Sequence, residues 1–175
     1  MIRVRPATPD DAAVIAGVYV PYVTDGVVSF EMEPPDAAEM ARRIAAGEDL
    51  HPWLVAEMDG AVAGYAYASP FRSRAAYAWA VETTVYVAGA AQGRGVGQAL
   101  YGELLDLLTR QGFTQAVGVI ALPNDASVGL HERLGFRFVG VNNGVGWKHG
   151  RWIDVGLWQR ALADPGEPHP PRPFR

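Results

Sequence analysis

Cysteine is absent from this chain of 175 residues, and histidine is scarce. Without cysteine there is no disulfide framework, no thiol nucleophile and no cysteine metal site, while an intracellular location is permitted. The histidines lie too far apart in sequence to show metal-ligand spacing; they are His51, His131, His149 and His169. We therefore expect no bound metal.

Long apolar runs and an excess of positive charge are also missing. No uninterrupted apolar stretch reaches the roughly 18 residues of a membrane helix, and Asp10 and Asp11 stand where a signal peptide has its apolar core. The formal net charge of −4 argues against a broad nucleic-acid or anionic-membrane surface. We expect a soluble, cytoplasmic protein without nucleic-acid or membrane partners.

Extended and helical patterns alternate along the chain, and a hydrophobic content of 49% allows one domain to bury its own core. The predicted strands cover 2–5, 53–58, 61–68, 77–87, 114–121, 136–145 and 152–158, and the predicted helices end near Tyr22, Gly47, Gly112 and Arg133. This order predicts a single α/β domain over residues 1–162, with a mixed central sheet flanked by helices. Residues 163–175, rich in proline, are expected to form a poorly ordered tail.

A glycine-rich hexapeptide, Gln92-Gly93-Arg94-Gly95-Val96-Gly97, follows the β-rich run 85–87 and opens a helix. Glycine lets the backbone turn close to a ligand, and the free N–H groups of a helix's first turn attract an anion. Gln98 and Ala99 follow where a P-loop has lysine and a hydroxyl, and no acidic residue lies near Gln115 to suit a dinucleotide fold. The pattern favours another phosphate-bearing ligand; a glycine turn without a ligand is the alternative.

The spacing Gln92-x-x-Gly95-x-Gly97 after a strand resembles the acetyl-CoA pyrophosphate loop of the GNAT N-acetyltransferase superfamily. Asn124, Ser127, His131 and the run 134–136 are similar to a second motif of that superfamily, with histidine in the usual tyrosine position. The likeness narrows to the phosphinothricin and methionine sulfoximine acetyltransferase group, and it extends from about Ile2 to Leu162. The segments that carry it are 81–87, 122–125, 148–152 and 154–159.

This resemblance implies a GNAT fold and an enzyme that transfers an acetyl group from acetyl-CoA to the amino group of a small amino-acid-like acceptor. It also implies a cofactor site on the strand, the glycine loop and the following helix, with the strand binding the pantetheine arm through its main chain. The expected cofactor residues are Val85, Tyr86, Val87, Gln92, Gly93, Arg94, Gly95, Val96, Gly97, Gln98, Asn124 and Ser127. Asparagine also suits a helix N-cap, which is the simpler alternative for Asn124.

Two residues are predicted to be catalytic. Glu82 alternates with Thr84 and Tyr86 on one face of its strand and matches the base proposed for the family, so we expect it to accept the amine proton directly or through water. His131 stands where the family's tyrosine usually protonates the leaving thiolate, and histidine can donate a proton near neutrality. A packed or helix-capping histidine is an equally good reading of His131.

The acceptor is expected to contact loop residues and the strand that carries the base. Arg72 and Arg74 suit a carboxylate or phosphinate, although two solvated loop arginines are the alternative. The predicted acceptor residues are Phe30, Glu31, Arg72, Arg74, Glu82 and Thr83.

The competing functions are acetylation of a protein N-terminus or a polyamine, and a non-catalytic acyl-CoA sensor. Similar enzymes are homodimers, so we expect a homodimer that uses the C-terminal aromatic strands; the sequence gives Lys148 and His149 no role.

Overall fold

Within residues 1–47, 49–164 and 166–174, which the computed structural model describes, seven strands and four α-helices follow one another. The strands are β1 (Ile2–Pro6), β2 (Trp53–Met58), β3 (Ala61–Pro70), β4 (Ala80–Val87), β5 (Gln115–Leu122), β6 (Arg137–Lys148) and β7 (Arg151–Ala161). The helices are α1 (Ala12–Thr24), α2 (Ala37–Ala46), α3 (Val96–Gln111) and α4 (Asp125–Arg133), and short 3-10 helices occupy Pro9–Asp11, Ala75–Tyr77 and Gly89–Ala91.

Turn and cap residues set several of these boundaries. Asp59 and Gly60 have φ values of 54° and 84°, the left-handed conformation that a tight hairpin turn between β2 and β3 requires. Asp36 begins α2 by accepting a hydrogen bond from the backbone N–H of Glu39 at 2.8 Å. Gly112, with a φ of 95°, ends α3. The turn between β2 and β3 and the end of α3 therefore lie where the sequence predicts them.

Three predicted strands have different limits in the structure. The strand expected at 77–87 begins at Ala80, because the backbone N–H of Tyr77 bonds back to the carbonyl of Arg74 at 2.9 Å and closes a helical turn. The last two strands are longer than predicted, since β6 and β7 continue to pair up to the turn at His149 and Gly150. Local sequence did not show this extension because β6 is exposed along most of its length.

The described strands form one mixed sheet in the order β1-β2-β3-β4-β5-β7-β6. Neighbouring strands are antiparallel except for β4 and β5, which run parallel. That parallel pairing covers only Ala80–Glu82 against Gln115–Val117, after which no register joins the two strands. Beyond Glu82 the sheet therefore opens into a cleft between β4 and β5.

Helices cover both faces of the sheet and bury two apolar clusters. On one face α3 packs an apolar stripe formed by Val96, Leu100, Leu104 and Leu108, each at most 1% exposed. On the other face α1 and α2 cover the aromatic side of β2 and β3. Complete burial of such a side chain contributes about 1.5–3 kcal/mol, so these stripes fix how the helices lie on the sheet.

The C-terminal tail contains no helix or strand among its described residues. Its main-chain carbonyl groups contact the rest of the domain. The indole N–H of Trp79 donates to the carbonyl of His169 at 2.8 Å, and the side-chain amide of Gln111 donates to the carbonyl of Arg172 at 2.9 Å. The poor order of this tail stays a prediction. In the described part of the chain, no helix combines the length and apolar character needed to cross a membrane.

Candidate active site

Strand β4 divides its side chains between the two faces of the sheet. Glu82, Thr84 and Tyr86 lie on the face that α1 and α2 cover, opposite Ser69, Tyr67 and Tyr65 of β3 respectively. Thr83 lies on the α3 face, only 2% exposed, and accepts through its carbonyl a 2.8 Å hydrogen bond from the hydroxyl of Tyr101. The predicted grouping of Glu82 with Thr84 and Tyr86 follows from this alternation.

Glu82 is half-buried at the last rung where β4 and β5 pair. Burial raises the pKa of its carboxyl group above the ordinary value, while the positive charge of Arg72 acts in the opposite direction. A carboxylate with a raised pKa accepts a proton more readily, and an adjacent cation keeps it ionised.

The cleft between β4 and β5 begins directly beyond Glu82. Its walls are residues 83–86 of β4, residues 119–121 of β5 and the first turns of α4, and Val28 from the segment between α1 and α2 reaches it as well. Asn124, Ser127 and His131 border the cleft from α4. The sequence predicted each of these three for the cofactor or the chemistry, and the fold brings them together.

The main-chain N–H and C=O groups of successive β4 residues point alternately toward β3 and toward β5. The N–H of Ala88 donates to the carbonyl of Ala63 at 2.9 Å, which assigns the even-numbered main-chain groups to β3. Val85 and Val87 therefore point their main chain away from β3, toward the cleft. Tyr86 points its main chain to β3 and its ring to the α1 face, so the strand geometry does not support its predicted main-chain contact with the cofactor.

Tyr22 of α1 reaches the end of β4 beside the glycine loop. Its hydroxyl donates to the carbonyl of Val87 at 2.6 Å, and the side-chain amide of Gln92 donates to that hydroxyl at 3.0 Å. Gln92 thus joins the loop to α1 and to the strand through one hydroxyl group. Its expected main-chain contact with a phosphate stays a prediction.

The glycine loop has the geometry of an anion site. Gly93 and Gly95 take φ values of 72° and 85°, which favour glycine. The N–H of Ala99 donates to the carbonyl of Gly95, so the preceding amides of Val96 and Gly97 have no intrahelical acceptor and point out of α3. This helix of 16 residues also places the positive end of its dipole there. The residues present fit a pyrophosphate group.

The other two side chains expected beside the phosphates are more exposed. Arg94 forms a salt bridge of 3.3 Å with Asp59, and the two side chains are 53% and 68% exposed. Such an exposed pair contributes at most about 1 kcal/mol, so Arg94 can exchange this partner for a phosphate at little cost. Gln98 completes the first turn of α3 next to Gly97, whose Cα lies against Leu130.

Asn124 and Ser127 build the start of α4 at the cleft. Asn124 is the N-cap residue, and its side-chain oxygen accepts the backbone N–H of Ser127 at 3.1 Å. Asn124 is therefore a helix N-cap, as the simpler alternative predicted, and it also lies at the cleft wall. The cofactor contacts of Asn124 and Ser127 stay predictions.

His131 is buried, with 3% exposure, and both of its ring nitrogens have protein partners. Nδ1 lies 2.8 Å from the carbonyl oxygen of Ser127, which only accepts, so Nδ1 carries the hydrogen. Nε2 lies 2.9 Å from the hydroxyl of Tyr101, and burial lowers the pKa of the imidazole. The one hydroxyl hydrogen of Tyr101 can be donated to Nε2 or to the carbonyl of Thr83, and the lowered pKa favours the neutral ring. The role of His131 as a proton donor stays a prediction.

The segment between α1 and α2 carries the two acceptor residues predicted from that part of the sequence. Phe30 is 41% exposed and packs its ring on Gly146. Glu31 is held by Arg43 through hydrogen bonds of 2.6 and 3.1 Å and by the hydroxyl of Tyr19 at 3.0 Å. These bonds lower the pKa of the Glu31 carboxyl, with Arg43 as the main cause. Glu31 thus stabilises the segment, and its contact with an acceptor stays a prediction.

Arg72 and Arg74 follow β3 on the Glu82 side of the sheet. The guanidinium of Arg72 lies 4.3 Å from the ring centre of Phe71 and donates to the carbonyl of that residue at 2.9 Å. Arg74 is exposed and caps the 3-10 helix at Ala75–Tyr77. Thr83, by contrast, turns to the opposite face from Glu82, so the strand alternation does not support its predicted acceptor contact.

A cavity of about 340 Å³ opens on the same face as Glu82, and the sequence did not predict it. Trp53 and Tyr67 stack across β2 and β3 with ring centres 4.2 Å apart, and Met40 and Arg43 of α2 face them. Ser69, the strand neighbour of Glu82, joins this cavity to the acid. The sequence pattern that could have indicated this cavity is the pair Tyr65 and Tyr67, which alternate in β3 and therefore share one face of the sheet.

Among the residues that the structure describes, no three acidic or histidine side chains are grouped so that they could hold a metal ion. The site instead combines an acid, a neighbouring cation, an open strand edge and a helix N-terminus. This arrangement suits proton abstraction from a small acceptor beside a bound phosphate ester.

Comparison with known proteins gives consistent matches. The profile of the Acetyltransferase (GNAT) domain matches residues 4–157. Phosphinothricin N-acetyltransferase of Streptomyces viridochromogenes is 45% identical over 172 residues, covering 98% of this chain and 94% of that protein. L-methionine sulfoximine/L-methionine sulfone acetyltransferase of Salmonella typhimurium is 39% identical over 118 residues, covering 67% of this chain and 69% of that protein. A phosphinothricin acetyltransferase from Sinorhizobium meliloti, crystallised with acetyl-CoA, has a TM-score of 0.91 at 39% identity and covers 99% of this chain and 98% of its own.

Proposed function

The chain belongs to the GNAT acetyltransferase family and is an acetyl-CoA-dependent N-acetyltransferase, and we propose that its acceptor is a small amino acid of the phosphinothricin or methionine sulfoximine type. The predicted GNAT fold with a mixed sheet is confirmed. One observation carries the proposal for the acceptor: the half-buried carboxyl of Glu82 lies at the last paired rung of β4 and β5, where the positive charge of Arg72 also acts on it.

Glu82 accepts the proton of the acceptor amine. Only a neutral amine has the lone pair for attack, and an alkylamine with a pKa near 10 lies about three units above neutrality, a cost of about 4 kcal/mol. The raised pKa of Glu82 makes its carboxylate a stronger base than an exposed one. Its position at the last paired rung puts that base at the entrance of the cleft. The proton moves directly or through one water molecule.

Arg72 recognises the acidic group of the acceptor, with Arg74 as a second candidate. A guanidinium donates two parallel hydrogen bonds to a carboxylate or phosphinate, and Arg72 is already oriented by Phe71. An amino acid therefore places its amine at Glu82 and its acid at Arg72. This cation beside the base disfavours a polyamine, whose own positive charges would be repelled.

The acetyl-CoA site is formed by the loop, the strand and α4. The amides of Val96, Gly97 and Gln98 bind the pyrophosphate at the start of α3, and Arg94 adds a charged contact. Val85 offers its main-chain groups to the pantetheine arm at the open edge of β4, and those of Val87 become available when the Tyr22 hydroxyl, which bonds both of them, moves aside. When bound, acetyl-CoA supplies the acetyl group as a thioester. Because the chain has no cysteine and no recognised Ser-His-Asp motif for a covalent acyl-enzyme, we infer direct transfer between the two bound substrates.

We also propose that the enzyme is a homodimer joined through β6 and β7. Strand β6 is a sheet edge that exposes apolar residues, and Trp147 and Trp152 at the hairpin end are 55% and 65% exposed. A second copy of the chain would cover this surface. Sedimentation of wild type and Trp152→Glu tests it: a dimer that the substitution dissociates is expected, and a wild-type monomer contradicts it. The cytoplasmic location stays a prediction from composition.

Thiol release from acetyl-CoA in the presence of different amines tests the function. A thiol reagent reports only released CoA, because the protein itself has no cysteine. The panel contains phosphinothricin, methionine sulfoximine, spermidine and a peptide with a free N-terminus. We expect turnover with the first two. Turnover with only spermidine or the peptide would overturn the acceptor assignment, and binding of acetyl-CoA without turnover of any amine would favour a sensor.

A further inference from the structure

Lys148 is a buried cation at the end of β6, with 3% exposure. Its ammonium group donates to the carbonyl oxygens of Val23 at 2.6 Å and Ser29 at 2.7 Å, and the salt bridges of the described residues do not include it. Burial lowers the pKa of this amine, and the charge of Glu31 opposes that change. A buried ammonium is costly unless hydrogen bonds satisfy it, so these two carbonyls are its main stabilising partners.

The two acceptors belong to different pieces of chain. The carbonyl of Val23 lies in the last turn of α1, where helix carbonyls lack intrahelical donors and carry the negative end of the dipole. The carbonyl of Ser29 belongs to the segment 25–31, which leaves α1 toward α2. One side chain of β6 thus joins the end of α1 to this segment.

Two neighbours of Lys148 contact the same segment. The ring of Phe30 packs on Gly146 so closely that a Cβ at position 146 would overlap it. On the other side, Nε2 of His149 donates to the carbonyl of Gly26 at 3.2 Å, from a turn in which His149 has a φ of 49°. The end of the β6–β7 hairpin therefore contacts the segment at Gly26, Ser29 and Phe30.

Segment 25–31 also contacts residues that pack against β4. The hydroxyl of Ser29 lies 2.5 Å from that of Tyr19 and accepts the backbone N–H of Glu31 at 3.1 Å. Tyr19 in turn packs edge-on against Tyr86 of β4, with ring centres 4.8 Å apart. Val28 of the same segment lines the cleft. A shift at Ser29 would therefore move groups next to β4.

We propose that Lys148 is a positioning residue for the acceptor: it holds segment 25–31 so that Phe30 and Glu31 form a wall of the acceptor site, without touching the acceptor itself. The proposal rests on the proposed function, since it requires an amine acceptor beside Glu82. It gives a role to Lys148, Gly146 and His149 together. It also separates acceptor binding, which depends on this wall, from pyrophosphate binding at α3, which does not.

Lys148→Met tests the proposal because it keeps the length of the side chain and removes the donors. We expect the KM for phosphinothricin to rise about tenfold, since two buried carbonyls lose their partner, while the affinity for acetyl-CoA measured by calorimetry stays within about twofold. Hydrogen exchange of the amides in 25–31 should become faster. Arg151→Met is the matched control: Arg151 is the exposed cross-strand neighbour of Lys148, and its loss should change none of these quantities.

The outcomes are distinct. Unchanged exchange in 25–31 together with an unchanged acceptor KM overturns the proposal, and so does an equal loss of acetyl-CoA and acceptor binding, which would assign Lys148 to general stability. If wild-type protein acetylates none of the amines, the proposed function fails, and the exchange measurement still decides whether Lys148 orders the segment. Should Lys148→Met not fold, Gly146→Ala displaces Phe30 with the ammonium intact and is expected to raise the same KM.

Chemical restoration of the amine gives the sharpest control. Lys148→Cys creates the only thiol of the chain. Alkylation with 2-bromoethylamine in denaturant, followed by refolding, converts it to a lysine analogue with loss of bromide, whereas iodoacetamide gives a neutral side chain. We expect the aminoethyl protein to regain the wild-type KM and exchange, and the neutral adduct to resemble Lys148→Met. Equal behaviour of the two adducts would contradict a role for the ammonium.

Discussion

Replacing Glu82 with glutamine removes the proposed base while it keeps the size of the side chain. A positioned general base contributes about 100- to 10,000-fold to a rate, so we expect kcat/KM for phosphinothricin at pH 7 to fall within that range. Acetyl-CoA affinity should be unchanged, because Glu82 lies on the opposite side of β4 from the amides at the start of α3. Steady-state kinetics and calorimetry measure the two quantities.

The pH profile distinguishes a base from a residue that only shapes the site. Burial raises the pKa of Glu82 above 4.5, so wild-type kcat/KM should fall as the pH drops through that raised value and level off above it. In Glu82→Gln the amine must arrive neutral, and with an amine pKa near 10 the neutral fraction at pH 7 is about one in a thousand. The rate of the variant should therefore rise about tenfold per pH unit toward pH 10.

Parallel profiles of wild type and variant would refute the reasoning, since both would then depend only on the amine. Glu103→Gln is the control: Glu103 lies exposed on α3 and pairs loosely with Arg110 at 3.5 Å, so its profile should match wild type. Stability provides a second check. Because the folded state raises the pKa of Glu82, its ionised form is disfavoured in the fold, so Glu82→Gln should be more resistant to urea at pH 8. That gain should disappear below pH 4.5, where the carboxyl is protonated in both states.

Three further substitutions test the remaining parts of the site. Arg72→Gln should raise the acceptor KM about tenfold with kcat little changed, because a charge-assisted contact is lost in ground state and transition state alike; equal KM values would remove Arg72 from the acceptor site. Gly95→Ala should lower the free energy of unfolding in urea by about 1–2 kcal/mol, since its left-handed backbone costs alanine about that much, and any strain that the loop relieves by moving should appear as weaker acetyl-CoA binding by calorimetry; unchanged stability together with unchanged affinity would contradict this. His131→Gln should remove the loss of urea stability that wild type shows as the pH falls below 6.5, because burial keeps the folded imidazole neutral; an unchanged pH dependence would contradict this.

Local chemistry made much of the fold predictable from the sequence. Asp59-Gly60 specifies a hairpin, and Gly112 takes the left-handed conformation that ends a helix. The apolar stripe from Val96 to Leu108 recurs every four residues over a stretch longer than an ordinary strand, with polar residues between, which indicates a helix. Glu82 could be placed beside Thr84 and Tyr86 because strand alternation needs no tertiary information.

Contacts between segments that are distant in the sequence could not be predicted from it. Lys148 bonds carbonyls more than 100 positions away, and a backbone carbonyl leaves no trace in residue identity. The ion pair between Glu31 and Arg43 of α2 could not be predicted either, because no local pattern links the two positions.

The cleft itself is maintained by side chains that replace sheet hydrogen bonds. The carbonyl of Thr83, the first residue of β4 beyond the paired rungs, is taken by the hydroxyl of Tyr101 instead of a β5 amide. His131 packs its ring so tightly on Gly118 that a Cβ there would lie 2.5 Å away, and it fixes Tyr101 from the other side. These two rings keep β4 and β5 apart just past Glu82. The pair therefore lies where the parallel ladder ends, beside Glu82, the proposed base.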